Sequence, residues 1–449
     1  MKAGRRQPRR AAFVALGAVA AIVAASGVSP SSAQVAVPYY SPGAFVAALQ
    51  VRAQAPFASQ FAGSAGHLVE SITQLCAAAA RTRKPGAGQG GGGDAGASDP
   101  SDDEALLGAQ QSWLAAADAW ERLAAVSVGA TLERRSARRV DFRPSRPRSI
   151  RAAINAHGRG RTPPAARQLE RVGAPAKGLP ALEWLLWDPA VPTHSAGCRY
   201  AIGLAQDVQR EAEALAEAHA ELATRWLGGG DGQGDERIEA RAAEAINQWL
   251  GGLEALRWRQ LGKPLAMITR GTGESGRVAP ATAAVPPDPN DDAWPRPPSA
   301  SHRDAWRARW EALRQVAIGP APTDGFGPQP SVAPAVISLE ALLRGRGRNE
   351  DADRWARAVM AADQAMQELT DTPAGAGGGA SGVPGDGRVA PLADAAPVPA
   401  TSQGGGTPLP PVATMAQAVQ ALDAVKQFLQ ATVAPALSVT LGLPDSQRD

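Results

Sequence analysis

Between positions 201 and 226 the apolar positions advance in alternating steps of three and four: Ala205, Val208, Ala212, Leu215, His219, Leu222 and Trp226. That spacing stacks them on one face of an α-helix, and the stripe needs partner helices to leave water. Ile238, Ala242, Ile246, Trp249, Leu253 and Leu256 repeat the rhythm, and Leu106, Trp113 and Trp120 lie seven apart on an earlier segment. The pattern predicts helices over 41–83, 104–128, 150–156 and 201–226, a further one carrying Ile238 to Leu256, then 302–316, 334–343, 351–369 and 415–433. Runs of β-branched residues are almost absent, so the expected fold class is all-α.

The ten residues Gly178 to Trp187, GLPALEWLLW, break the amphipathic rule by being apolar on nearly every side. Gly178 and Pro180 suit a helix start, where a missing N–H costs nothing. Glu183 stands among Leu182, Trp184, Leu185, Leu186 and Trp187. A carboxylate buried there requires a cation, a donor or a metal; otherwise Glu183 points out past the tryptophans. Either Glu183 meets a ligand, or it is a structural carboxylate paired with an arginine, for which Arg143 and Arg146 are the candidates.

Two pairs of short matches suggest a repeat. Trp120-Glu121-x-Leu123-x-x-Val126 returns as Trp310-Glu311-x-Leu313-x-x-Val316, and Leu182-Glu183-x-Leu185-Leu186 as Leu339-Glu340-x-Leu342-Leu343. The expected architecture is two four-helix-bundle-like halves related by internal duplication and joined by long disordered Gly/Pro linkers. The N-terminal half covers 34–268 with a linker at about 84–103. A linker at 269–300 leads to the C-terminal half, 301–441, with an insertion at about 372–410 and a tail at 442–449.

Composition changes this picture at the N-terminus. Lys2, Arg5, Arg6, Arg9 and Arg10 precede an apolar stretch from Ala11 to Ala25 that is short for a membrane span, and Ser31-Ser32-Ala33 offers small residues for cleavage. Residues 1–33 therefore read as a signal peptide, and the mature protein as exported, in the periplasm or at the cell surface, with no transmembrane segment. Without the leader's five basic residues the balance is 41 basic to 43 acidic, net −2. The high pI thus belongs largely to the leader, and nucleic acid is not an expected partner. The two cysteines, Cys76 and Cys198, both lie in the exported part and read as a disulfide, with two buried free thiols as the alternative.

Candidate chemistry is sparse. There is no nucleophile-elbow serine, His-Glu-x-x-His, phosphate loop or dinucleotide fingerprint. His67 and Glu70 are one turn apart, as in carboxylate-bridged metal bundles, and His219 lies on an apolar seam, where it is either a hydrogen-bonded core residue or a metal ligand. His157, His194 and His302 read as incidental. Residues 134–161 hold ten arginines against one acid, Asp141. This run reads as a solvated surface with one or two internal ion pairs, or else as a site for an oxyanion.

The Trp113–Trp120–Glu121 helix, the Arg139-Val140-Asp141-Phe142-Arg143-Pro144-x-Arg146 segment, GLPALEWLL and Cys198-x-Tyr200 together resemble the imelysin-like family, with 338–345 fitting its second half. The resemblance implies an exported all-α protein of two bundle-like halves, linked to iron uptake, in a family whose founding member was described as a peptidase. The family hallmark Gly-x-His-x-x-Glu is read as metal-binding. Here Gly178 and Glu183 match, but the histidine position is Pro180, which removes the nitrogen ligand suited to a transition metal. Enzyme activity is therefore not expected. The reading is a periplasmic binding protein accessory to iron or other metal acquisition. It would hold a small ligand or an envelope partner in a cleft near Glu183, Gly178, Asp141, Arg143, Arg146, Glu121 and Trp120. Iron or another divalent metal could accompany Glu183, His219 or the His67–Glu70 pair, and no cofactor is fixed by the residues. The alternatives are a metal-dependent peptidase or hydrolase, and a surface scaffold.

Overall fold

The first helix starts where its capping residues dictate. The Ser41 hydroxyl accepts from the Ala44 N–H at 3.1 Å, and Pro42 fills the first turn. In a computed structural model describing residues 40–82, 100–143, 146–160, 162–187, 195–228, 234–271, 294, 296–319, 337–371 and 410–442, the chain is helical, with no strand among them. The helices are α1 (Pro42–Leu49), α2 (Ala55–Thr82), α3 (Pro100–Ala124), α4 (Ala130–Glu133), α5 (Ser136–Val140), α6 (Pro147–His157), α7 (Ala166–Leu169) and α8 (Gly178–Trp187). They continue with α9 (Ser195–Leu227), α10 (Asp235–Glu254), α11 (Lys263–Gly271), α12 (His302–Ile318), α13 (Leu339–Gly345), α14 (Asn349–Asp371), α15 (Val412–Phe428) and α16 (Ala434–Ala436). The all-α expectation holds.

Two apolar cores form. The first gathers Phe61, Leu68, Trp113, Trp120, Leu182 and Tyr200 from α2, α3, α8 and α9. The second gathers Phe45, Trp249, Trp306, Trp355 and Leu422 from α1, α10, α12, α14 and α15. Sequence division at 269–300 assigns α1 and α10 to the N-terminal half, yet both line the second core. α10 also passes close to the chain just beyond α3. A Cβ on Gly252 would sit 1.8 Å from the Ala125 carbonyl oxygen, so only glycine lets the two backbones meet. One turn earlier, the Trp249 indole donates to the Leu313 carbonyl at 2.8 Å.

Cys76 and Cys198 form the expected disulfide, tying α2 to α9 with Cα atoms 5.5 Å apart. The repeated motifs do not share surroundings. Glu121 is 2% exposed and Glu183 1%, whereas Glu311 is 49% exposed and Glu340 pairs with Arg344 one turn along its own helix. The leader at 1–33 and most of the expected linkers lie outside the described residues. The end of the 269–300 linker does not behave as a linker: Trp294 and Arg296 are buried in the fold.

Candidate functional site

The segment around Asp141 and the helix bearing Glu183 meet at a glycine. Gly178 has φ +69°, and an added Cβ would lie 2.3 Å from the Val140 carbonyl oxygen. Conformation and space therefore both demand glycine, and its absent side chain seats the start of α8 on the end of α5. Pro180 follows in the first turn, buried, where a ring without an N–H is tolerated. The Trp113 indole donates to the Leu179 carbonyl at 2.9 Å and the Tyr200 hydroxyl to the Ala176 carbonyl at 2.6 Å. Together these bonds aim Glu183 inward.

Glu183 is buried and fully engaged. Its Oε1 accepts from the Ser299 hydroxyl at 2.6 Å and the Ser299 N–H at 3.2 Å, and its Oε2 faces Arg143 Nη2 at 3.4 Å. Arg143 Nε is also 3.2 Å from Asp141 Oδ1, in ion-pair range but off the line of a hydrogen bond. Asp141 Oδ2 lies 3.4 Å from Arg296 Nη2, which donates in turn to Glu121 Oε1 at 2.9 Å. Glu121 Oε2 takes two contacts from Arg309, 2.8 Å from Nε and 2.7 Å from Nη2, and one from Gln260 at 3.4 Å. The result is an alternating chain, Glu183–Arg143–Asp141–Arg296–Glu121–Arg309. Its acids come from α3, α8 and the end of α5, while Arg296, Ser299 and Arg309 come from α12 and the segment leading into it.

The electrostatics follow from this order. Burial would raise the Glu121 carboxyl, but Arg309 and Arg296 outweigh it and hold it at about 2. Burial likewise opposes the charge of Arg296, yet Asp141, Glu121 and Glu183 raise its pKa above the ordinary arginine value. Asp118, on the same helix as Glu121, is pushed up to about 6 by burial and by Asp304 across on α12. Glu121 and Arg296, each held between opposite charges, thus stay charged where a lone buried ion would not.

The residues around Glu183 do not suit a resident metal ion. Both its oxygens have partners, Pro180 has no donor atom, and arginines occupy the positions beside Asp141 and Glu121 that a cation would take. Among the described residues no group of three or more His, Cys, Asp or Glu side chains is placed to hold one. His67 and Glu70 contact each other at 3.5 Å on open surface. Both ring nitrogens of His219 are taken, by Thr131 Oγ1 at 2.9 Å and Gln50 Oε1 at 3.2 Å, and burial lowers its pKa to about 4.

Of the other residues singled out in the sequence, Arg143 reaches Glu183 but Arg146 does not. Arg146 is exposed, and its backbone N–H donates to the Pro175 carbonyl at 3.2 Å as α6 begins. Trp120 is buried against Phe61, with ring centroids 5.3 Å apart, as core. Within the arginine run, Arg134 and Arg139 clamp the buried Glu211 at 2.9 and 2.7 Å. Sequence reasoning missed Arg296, Ser299, Arg309 and His302. The available signal was Trp294-Pro295-Arg296, an aromatic and a cation inside a stretch otherwise read as linker.

Comparison with known proteins bears on the fold and the family. No curated protein matches the chain. An imelysin-like protein from Psychrobacter arcticum 273-4 shares the fold at a TM-score of 0.56 and 14% identity, covering 89% of this chain and 96% of that one. A proposed iron-regulated protein A precursor from Parabacteroides distasonis ATCC 8503 does so at 0.56 and 11%, covering 88% and 95%. The family model described as Imelysin matches residues 54–384, which include Glu121, Asp141, Gly178, Glu183, Arg296 and Arg309. The chain belongs to the imelysin family.

Proposed function

We propose that this chain is an exported, non-enzymatic binding protein that takes up a small oxygen-rich ligand, such as a metal chelate, at the Glu183 end of its buried charge chain. It would thereby serve iron or other metal acquisition. The observation that carries the reading is the pairing of Glu183 with Arg143 and Ser299. It sets an acid, a cation and a hydroxyl side by side, where Arg143 retains 24% of its surface. With Glu183 and Ser299 satisfied by each other, the exposed part of the Arg143 guanidinium is the group left to receive an oxygen-rich ligand, with iron as cargo and not as cofactor. Residues 1–33 support export to the periplasm or cell surface, and no described helix is long and apolar enough to cross a membrane. Pro180 in place of the family histidine argues against metallopeptidase chemistry. The similar fold of a proposed iron-regulated protein supports the link to iron.

Calorimetric titration of the mature chain with ferric citrate, ferrous iron and zinc, beside a peptide-hydrolysis assay, tests this reading. Saturable binding of the chelate without hydrolysis is expected. Stoichiometric bare metal together with hydrolysis would replace the reading with a metallopeptidase, and no binding of any probe would replace it with a scaffold.

A further inference from the structure

Buried polar atoms without partners are rare, and here they cluster. Among the described residues, Arg296 Nε and Nη1, both nitrogens of His302, Trp306 Nε1, Asp141 Oδ1 and Gln260 Oε1 have no hydrogen-bond partner. Each such group left dry weakens the fold, so a native structure normally supplies water or a ligand. These residues share one neighbourhood. His302 and Trp306 lie one turn apart on α12 with ring centroids at 6.1 Å, and Trp294 flanks His302 on its other side at 5.0 Å. Arg296 lies over the Trp113 ring at 5.2 Å and touches Glu121, to which Gln260 also donates.

The balance among these atoms is towards donors. Arg296 offers N–H groups on two nitrogens, Trp306 offers one, and a neutral imidazole offers one more beside a bare nitrogen. Against these, Asp141 Oδ1 already faces Arg143, and Gln260 Oε1 is the further acceptor. At the His302 ring the arginines dominate: burial first, then Arg143, Arg296 and Arg303, hold it neutral, its pKa lowered to about 3, while Arg296 turns one nitrogen, Nη2, to Glu121 and Asp141 and leaves Nε and Nη1 free of them. Arg296, His302 and Trp306 are 1%, 3% and 0% exposed, so whatever serves them is enclosed.

We infer that Arg296, His302 and Trp306 form a buried site for a small oxyanion of the phosphate, bicarbonate or carboxylate class, held by guanidinium, imidazole and indole N–H groups. An oxyanion supplies several acceptors at once, and a hydrogen phosphate or bicarbonate adds one O–H for the bare imidazole nitrogen. The site lies on the α12 side of the charge chain and goes beyond the Glu183 reading. It stands whether or not a chelate binds at Glu183.

The test is thermal melting and calorimetry of the mature chain, freed of anions, against inorganic phosphate and against acetate, each compared with sodium chloride at equal ionic strength. A saturable rise in melting temperature beyond the chloride control is expected with at least one of them. Trp306→Phe keeps the ring and removes one donor, so it should bind at least about tenfold more weakly while melting within a few degrees of wild type without anion. His302→Phe keeps the aromatic stack between Trp294 and Trp306 and should also lose the effect, which covers the case in which Trp306→Phe fails to fold. No response to either anion beyond chloride would mean that internal water alone serves these atoms, and would overturn the site. Undiminished binding by folded Trp306→Phe or His302→Phe would overturn it equally. Ferric citrate titrations of the same variants should retain binding, which separates this site from Glu183.

Discussion

Gly178 meets the Val140 carbonyl so closely that a single Cβ would stand 2.3 Å from its oxygen, on a residue whose φ is +69°. This contact brings Asp141 and Glu183 into one charge chain. Gly178→Ala meets both penalties at once, a clash with unyielding backbone and a strained conformation, and should cost roughly 2–4 kcal/mol. Chemical denaturation would measure it. A loss no larger than that of Gly63→Ala, where nothing lies within 4 Å, would show that the two segments are not locked.

Glu121 and Glu311 occupy matching positions in the short repeat yet should respond differently to the same change. Glu121→Gln leaves Arg309 and Arg296 buried with too little negative charge, a loss of about 3–5 kcal/mol. Glu311 faces Arg122 at 2.8 Å on the surface, and Glu311→Gln should cost under about 1 kcal/mol. Urea unfolding of the two variants side by side decides it.

The disulfide joins cysteines 122 positions apart, so opening it frees a long loop in the unfolded chain. On the chain-entropy account the cost is about 4–5 kcal/mol. A paired Cys76→Ser, Cys198→Ser variant should melt well below wild type, and reductant should lower the melting temperature of wild type alone.

Stability should fall on acidification in a definite window. His219 and His302 have folded pKa values of about 4 and about 3, below the ordinary 6.5. Because these values are depressed, their stabilisation is complete above pH 6.5 and is lost as pH falls towards 4 and then 3, where the unfolded chain binds protons that the fold refuses. Glu121, held at about 2, adds to the loss between its ordinary 4.5 and 2. Replacing His219 by Gln should flatten the slope between pH 6.5 and 4 by about 1.4 kcal/mol per pH unit. Denaturation at several pH values checks the sign.

Helices with a strict stripe, such as α9, were legible because their periodicity is local to the chain, and so was the Cys76–Cys198 pair. The acid in GLPALEWLLW stood out in the sequence because its neighbours are so apolar, but that it points inward and not past the tryptophans is decided by the packing of α8. The acid's partners were not legible. Arg296 and Ser299 sit after a Pro-rich stretch that carries no periodicity, and Arg309 lies a hundred positions and more from Glu121, so only tertiary packing joins them. His302 read as incidental because it starts a helix. Its place between Trp294 and Trp306 depends on a fold in which the end of an apparent linker turns inward.

The central claim is that a ligand is met beside the Glu183 carboxylate. Glu183→Gln keeps an acceptor for Ser299 and loses the charge and the acceptor opposite Arg143, and because Arg143 retains 24% of its surface and can turn to water the variant should stay folded. Melting of the two mature proteins with and without saturating ferric citrate is the direct measurement. A rise in the wild-type melting temperature that is absent from Glu183→Gln is the predicted result, and an equal rise in both, or none in wild type, would contradict the account.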